Sequence, residues 1–208
     1  MADEVADEVQ PKRRQARGER RMAQILDASA VVIARTGYER ATTIAIATEA
    51  GISPGSLYQF FRNKKAIAEA LADRFVTELG AAHRSAFDST DFAAIPLDEV
   101  LDRIVDPIVA FNIANPGFKA LFARPDMPEG LTDAARPIQA ALLDRIEAMI
   151  AVRAPELPEA ERHRTARVGI NLFQALIPLV VATEEAERPL MVAELKKALR
   201  GYLGPVIG

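Results

Sequence analysis

Apolar residues recur along this chain at steps of three and four, the spacing that lines them up on one side of an α-helix. Met22, Ile25, Leu26, Val32 and Ile33, with Ser29 among them, give one broad face over about 18–36, and Gly37 follows as a stop. Over about 64–85, Ile67, Leu71, Phe75 and Leu79 stand at four-residue steps. The stretch 96–115 carries Leu97, Leu101, Ile104, Val105, Ile108 and Phe111 in helical register until Asn115-Pro116-Gly117 breaks it. A short helix is predicted over 118–123, before the Arg124-Pro125 break. Longer ones follow over 133–152, with Ile138, Leu142, Ile146 and Met149, and then over 158–186 and 190–203. No stretch alternates with the period of two that a strand needs, and no internal repeat is visible. The pattern predicts an all-α protein.

Between the first two long helices the chain is punctuated differently. Thr42 or Thr43 can cap a short helix, because a hydroxyl accepts from an otherwise orphaned first-turn N–H. Ala50-Gly51 ends that helix, glycine being the residue that takes the left-handed conformation helix C-termini often need. Ser53-Pro54 then opens another with a cap and a first-turn proline. Asn63 and two lysines lead into the long helix. Two short helices about a glycine-containing turn, spanning about 42–61, make a helix-turn-helix. In that motif one helix enters the DNA major groove while the other braces it.

The segment Ile46-Ala47-x-x-Ala50-Gly51-Ile52-Ser53-x-Gly55-x-Leu57-Tyr58-x-Phe60-Phe61-x-Asn63-Lys64-x-x-Ile67 resembles the helix-turn-helix of TetR-family transcriptional regulators. The resemblance covers roughly 20–80, and beyond Phe87 no comparable motif occurs. It implies an N-terminal three-helix DNA-binding domain and a C-terminal helical domain for ligand binding and dimerisation. It also implies that Pro54, Gly55 and Gln59 face the groove and that Phe61 locks the reading helix onto the first helix. Many relatives carry Tyr or His where Gln59 stands, so the operator sequence does not carry over.

The charge supports a DNA-reading end. From Lys12 to Lys65 there are eleven Lys or Arg against four acids (Glu19, Asp27, Glu39, Glu49), a local +7; from Ala66 onward fifteen basic residues face twenty-one acids, a local −6. A basic end on an acidic body is the footprint of nucleic-acid binding confined to one domain. Residues 1–17 are polar and without apolar period and read as a disordered arm. The expected division is therefore an arm at 1–17, a DNA-binding domain at 18–65 and a regulatory and dimerisation domain at 66–208. There is no cysteine, hence no disulfide or thiolate metal site. The acidic N-terminus lacks a secretory pattern, and the apolar run 172–182 is shorter than the roughly 20 residues a span needs. A cytoplasmic protein without a membrane partner is the expectation.

Ser56, Tyr58 and Lys64 are candidates for phosphate contact, since hydroxyls and an ammonium suit phosphate oxygens. Gln59 can pair bidentately with adenine, or simply be solvated. Thr42, Thr43 and Ser53 are caps first, with a DNA contact left open. Arg40 can reach the groove or remain in solvent. The arm Lys12-Arg13-Arg14, with Arg17, Arg20 and Arg21, can lie along the backbone or enter a minor groove, or be a disordered solubilising tail. Leu57, Phe60, Phe61 and Ile67 read as core.

In the second domain Phe111, Asn112, Phe118, Phe122, Asn171 and Gln174 combine apolar walls with a few polar groups, as a small-molecule pocket does; plain core is the competing reading. Such a lining suits an apolar, neutral effector. Helix 158–186 is apolar on nearly all sides between Val168 and Ala182, so one side must meet its own core and another something else. Val168, Leu172 and Leu176, with Leu195, Leu199 and Tyr202 on the last helix, are the candidate dimer interface, and the resemblance implies a four-helix bundle there. His83 and His163 read as surface residues, and no metal site or cofactor is indicated. The reading is a homodimeric regulator that binds double-stranded DNA, a repressor released from a pseudo-palindromic operator by a small ligand, and not an enzyme. The alternatives are a DNA-binding protein without ligand and an enzyme carrying a DNA-binding module; no nucleophile, metal or phosphate-loop pattern favours the latter.

Overall fold

The computed structural model describes the backbone of residues 3–87, 91–122 and 131–208; side chains are described from 15 onward within these stretches, except at 119, 120, 122, 131–135 and 138. All regular structure among the described residues is helical. The chain forms two compact units. The first holds residues through Arg74 together with a short helix beginning at Pro116; the second holds Phe75–Asn115 and the chain from Thr132 onward.

In the first unit α1 (Asp3–Thr36) is followed by α2 (Thr43–Glu49), α3 (Pro54–Tyr58) and the opening of α4 (Lys64–Phe87). α1 thus starts at Asp3, within the stretch 1–17 expected as an arm. Ala, Glu, Gln, Arg and Lys are good helix formers whether or not they carry an apolar stripe. The inner stripe of α1 is Ile25, Val32 and Ile33, each 0–1% exposed. Ser29 is buried among them without cost to its hydroxyl, which donates to the Ile25 carbonyl at 2.6 Å. Gly37 closes the helix at φ 76°, its N–H reaching the Ile33 carbonyl at 2.8 Å. Three side-chain bonds tie the elements to α1: Gln24 Nε2 donates to the Ala50 carbonyl at 2.6 Å, Arg35 pairs with Glu49 at 3.1 Å, and Arg74 of α4 pairs with Asp27 at 2.6 Å.

The helix α6 (Pro116–Phe122) packs on α1 and belongs to this first unit. A Cβ at Gly117 would stand 2.7 Å from the Ala30 carbonyl oxygen, so backbone meets backbone there. The expected boundary between 65 and 66 therefore differs from the compact units, which divide at Arg74 and take α6 with α1.

The second unit contains α5 (Leu97–Ala114), α7 (Leu131–Arg153), α8 (Glu159–Ala182) and α9 (Arg188–Ile207), with the rest of α4. Leu195, Leu199, Leu203 and Ile207 turn one face of α9 into the core against α5 and α8. Leu195 and Leu199 are 2% and 5% exposed, so they hold their own protomer together and are not surface for a partner, which corrects the expected interface. Along the flank of that face, Lys196 pairs with Asp102 at 2.7 Å and Asp106 at 2.6 Å, and Arg200 with Asp98 at 2.6 Å, a ladder matching the four-residue repeat of α5. Arg153 closes one end of the unit, donating to the Phe92, Ile95 and Ile207 carbonyls at 2.6–2.7 Å. The helix α8, 24 residues long with a mean hydropathy of 1.5 over its most apolar 18, has the length and composition to cross a bilayer, more than the 172–182 run suggested. Its Ala166, Gly169, Ile177 and Val180 face the core instead.

His83 is also a correction. It is 4% exposed rather than a surface residue. Burial, aided by the positive charge of Arg145, lowers its pKa from 6.5 to about 4. Between those values the unfolded chain binds a proton that the folded chain refuses. Stability is thus complete above pH 6.5 and falls as pH drops to about 4, by about 3 kcal/mol in all. Denaturant titrations across that window should show a steeper loss for the wild type than for His83→Leu; parallel losses would contradict the assignment.

Candidate nucleic-acid interface

The reading head is built from local signals. Thr42 is the N-cap of α2, extended at φ −123° and ψ 152°, and its hydroxyl accepts from the Ala45 N–H at 3.1 Å. Gly51, at φ 64°, makes the turn. Ser53 caps α3, accepting from the Ser56 N–H at 3.1 Å, and its Oγ lies 2.9 Å from that of Ser56. Pro54 occupies the first turn, where its missing N–H costs nothing. Leu57 and Phe61 are buried, at 0% and 7% exposed, and so anchor α3 from beneath. Asn63 Oδ1 accepts the Ala66 N–H at 2.9 Å and starts α4.

What remains outward on α3 is Pro54, Gly55, Tyr58 and Gln59, with Ser53 exposed before them and Ser56 half-buried. The Tyr58 hydroxyl lies 2.9 Å from Thr43 Oγ1, joining the end of α3 to the start of α2 and fixing a ring that is half exposed. A Cβ on Gly55 would meet nothing nearer than Ser53 Oγ at 3.9 Å. The protein itself therefore has room for a side chain there, and packing within the chain does not require the glycine. Gly55→Ala should leave thermal stability unchanged or slightly raised, yet weaken operator binding about tenfold or more if a contact of about 1.4 kcal/mol is lost. A variant that binds DNA as the wild type does, measured by fluorescence anisotropy, would remove Gly55 from the interface.

Lys64 is placed differently from the phosphate contact expected of it. Its ammonium donates to the carbonyls of Tyr38 at 3.0 Å and Glu39 at 3.1 Å and sits 4.5 Å over the Tyr38 ring. Two of its three hydrogens are thereby engaged in holding the α1–α2 turn, leaving one for DNA. Arg40 is exposed, with Nε on the Thr36 carbonyl at 3.0 Å, and Arg17 is exposed on α1. The side chains of Lys12, Arg13 and Arg14 lie outside the described residues. Ile44 was missed from sequence. It stands 65% exposed in the first turn of α2, but the run Ile44-Ala45-Ile46-Ala47 does not tell which isoleucine faces in.

Of the expected ligand residues, Phe111, Asn112, Asn171 and Gln174 belong to the second unit and Phe118 to the first. Phe111 is buried in the second unit, edge-on to Phe75 at 6.5 Å, and Asn112 Nδ2 donates to the Ile108 carbonyl at 2.7 Å. Phe118 lies on α6 in the first unit, and the Phe122 side chain lies outside the described residues. Asn171 and Gln174 are exposed, Asn171 bonding the Arg167 carbonyl of its own helix at 2.7 Å. The inward stripe of α8 runs through Ala166, Gly169, Ile177 and Val180, and Asn171 is on the opposite side, so these two amides line no interior. Among the dimer candidates Val168 is 42% exposed, whereas Leu172, Leu176 and Tyr202 pack partly against the core.

Comparison with known proteins agrees with this geometry. Residues 25–71 match the family described as bacterial regulatory proteins, tetR family, and residues 96–203 match the tetracyclin repressor-like C-terminal domain. The chain is 26% identical to the HTH-type transcriptional regulator UidR of Escherichia coli K12, over all of this chain and 98% of that protein. A TetR-like transcriptional regulator from Rhodococcus sp. RHA1 shares the fold with a TM-score of 0.70 at 19% identity, covering 88% of this chain and 96% of that one. A TetR-family regulator from Streptomyces coelicolor superposes at 0.54 with 26% identity, over 89% and 99%.

Proposed function

From the premise that this chain belongs to the tetR family and is a helix-turn-helix transcriptional regulator, we propose that it is a homodimeric repressor in the cytoplasm. It leaves a pseudo-palindromic operator when a small effector binds its second unit. The observation that carries this reading is the rigid outward edge formed by Ser53–Gln59, capped at Thr42 and Ser53 and cross-bonded from Thr43 to Tyr58. Ser53, Ser56 and Tyr58 offer hydroxyls to phosphates, and Gln59 offers its amide to a base edge.

The dimer is supported by α8. Only 28% of its most apolar stretch is buried in the protomer, and Val168, Ala175 and Leu179 lie outward on one side. On α9 the outward residues include Leu190, with Ala198 and Gly201 small enough for close helix contact. A two-fold pair of such faces presents two reading heads to two-fold DNA. Regulation is supported by the unbroken course of α4, whose Lys64 end belongs to the first unit and whose Phe87 end belongs to the second.

The test is binding to DNA from upstream of its own gene across a salt series. The logarithm of affinity should fall linearly with that of salt, at a slope of roughly −0.9 for each phosphate neutralised. No complex at low salt would defeat the reading. Gln59→Ala should alter which operator variants are preferred, while Arg40→Ala should weaken all of them alike.

A further inference from the structure

We infer that the second unit binds a hydrophobic monocarboxylate whose carboxyl group is held between His83 of α4 and Arg145 of α7. Three observations converge on this site. His83 is 4% exposed, and among the described residues its ring makes no hydrogen bond. Phe87 follows His83 by four residues and so shares its face of α4. Arg145 lies over the Phe87 ring, its guanidinium carbon 6.0 Å from the centroid. Arg145 is only part-exposed and likewise carries no ion pair or hydrogen bond among the described residues. Among the described residues, then, a guanidinium without a counter-charge lies against the face of α4 that carries an imidazole without a partner.

Chemistry narrows the ligand. Arginine's planar fork matches a carboxylate through two parallel N–H bonds, and a neutral imidazole adds one N–H donor. Burial and the charge of Arg145 keep His83 neutral near pH 7, so the site has one net positive charge and suits one negative charge. The surroundings are apolar: Phe87 packs on Phe92 at 5.6 Å between ring centroids, and Met149, one turn beyond Arg145 on α7, is 3% exposed. An acyl or aryl body fits these walls, whereas Asn171 and Gln174, two of the amides expected to line a site for a neutral ligand, face outward.

As a statement about regulation this rests on the effector reading, but binding itself is measurable on the protein alone. Octanoate and phenylacetate should be titrated calorimetrically into the full-length dimer near pH 7, each beside its primary amide. One of the two acids should bind in preference to its amide. Arg145→Met should weaken that acid about ten- to a hundredfold, the loss of a charge-assisted pair, and leave the amide unchanged. Arg145→Lys should restore part of the loss, and His83 ring resonances should shift with the acid only. The inference falls if neither acid saturates at millimolar concentration, if amide and acid bind alike, or if Arg145→Met binds the acid as the wild type does. An acid that binds through Arg145 yet leaves the operator complex intact keeps the site and removes the effector role. A neutral compound that releases the operator while neither acid binds does the reverse.

Discussion

Val168→Glu combined with Leu179→Glu should convert the protein to a folded monomer with operator affinity lower by about a hundredfold or more, since two heads on one body bind far more tightly than one. Both side chains are exposed in the protomer, at 42% and 55%, so a carboxylate at either is hydrated in the monomer and desolvated only in a pair. Leu195→Glu acts at a different level. Leu195 is 2% exposed within the α5–α8–α9 core, and a charge there costs several kcal/mol in the protomer itself. Light scattering and circular dichroism separate the cases, with native helicity and half the mass for the double variant and lost helicity for Leu195→Glu. A double variant that remains dimeric would move the interface elsewhere.

Gly117→Val should destabilise the first unit by about 2–3 kcal/mol, the order found for overpacking. The added carbon meets the Ala30 carbonyl oxygen at 2.7 Å and its Cα at 3.0 Å, backbone atoms that cannot turn aside as a side-chain end can. The only relief is for α6 to lift from α1. Gly201→Ala is the control, because a Cβ there meets nothing within 4 Å in the protomer, and its monomer stability should hold. Denaturant midpoints for the two variants check this, and equal midpoints would contradict the close packing of α6 on α1.

The reading head was legible because its determinants are local. A cap hydroxyl at Thr42 or Ser53, a left-handed glycine at position 51 and a first-turn proline act within a few residues, whatever the rest of the chain does. The long helices were legible from period alone, although Pro178 did not stop α8 and Thr183 did, four residues before the expected end. What period could not give is which side of an all-round apolar helix faces inward. Asn171 and Gln174 were assigned to an interior they do not line, and Leu195 and Leu199 to an interface they do not reach. His83 was misread for a related reason, since one histidine in a helix carries no signal of its depth. The return of α6 to α1 depends on a contact between positions 30 and 117, which nothing in either neighbourhood announces.

Hydroxyl-radical footprinting of the protein on DNA upstream of its own gene tests the central claim most directly. The account predicts two protected half-sites related by two-fold symmetry, their centres about one helical turn apart or a multiple of it. The interference pattern should change at base positions when Gln59 is replaced by alanine. A single protected site without a symmetry mate, or protection indifferent to Gln59, Gly55 and Tyr58 alike, would contradict it.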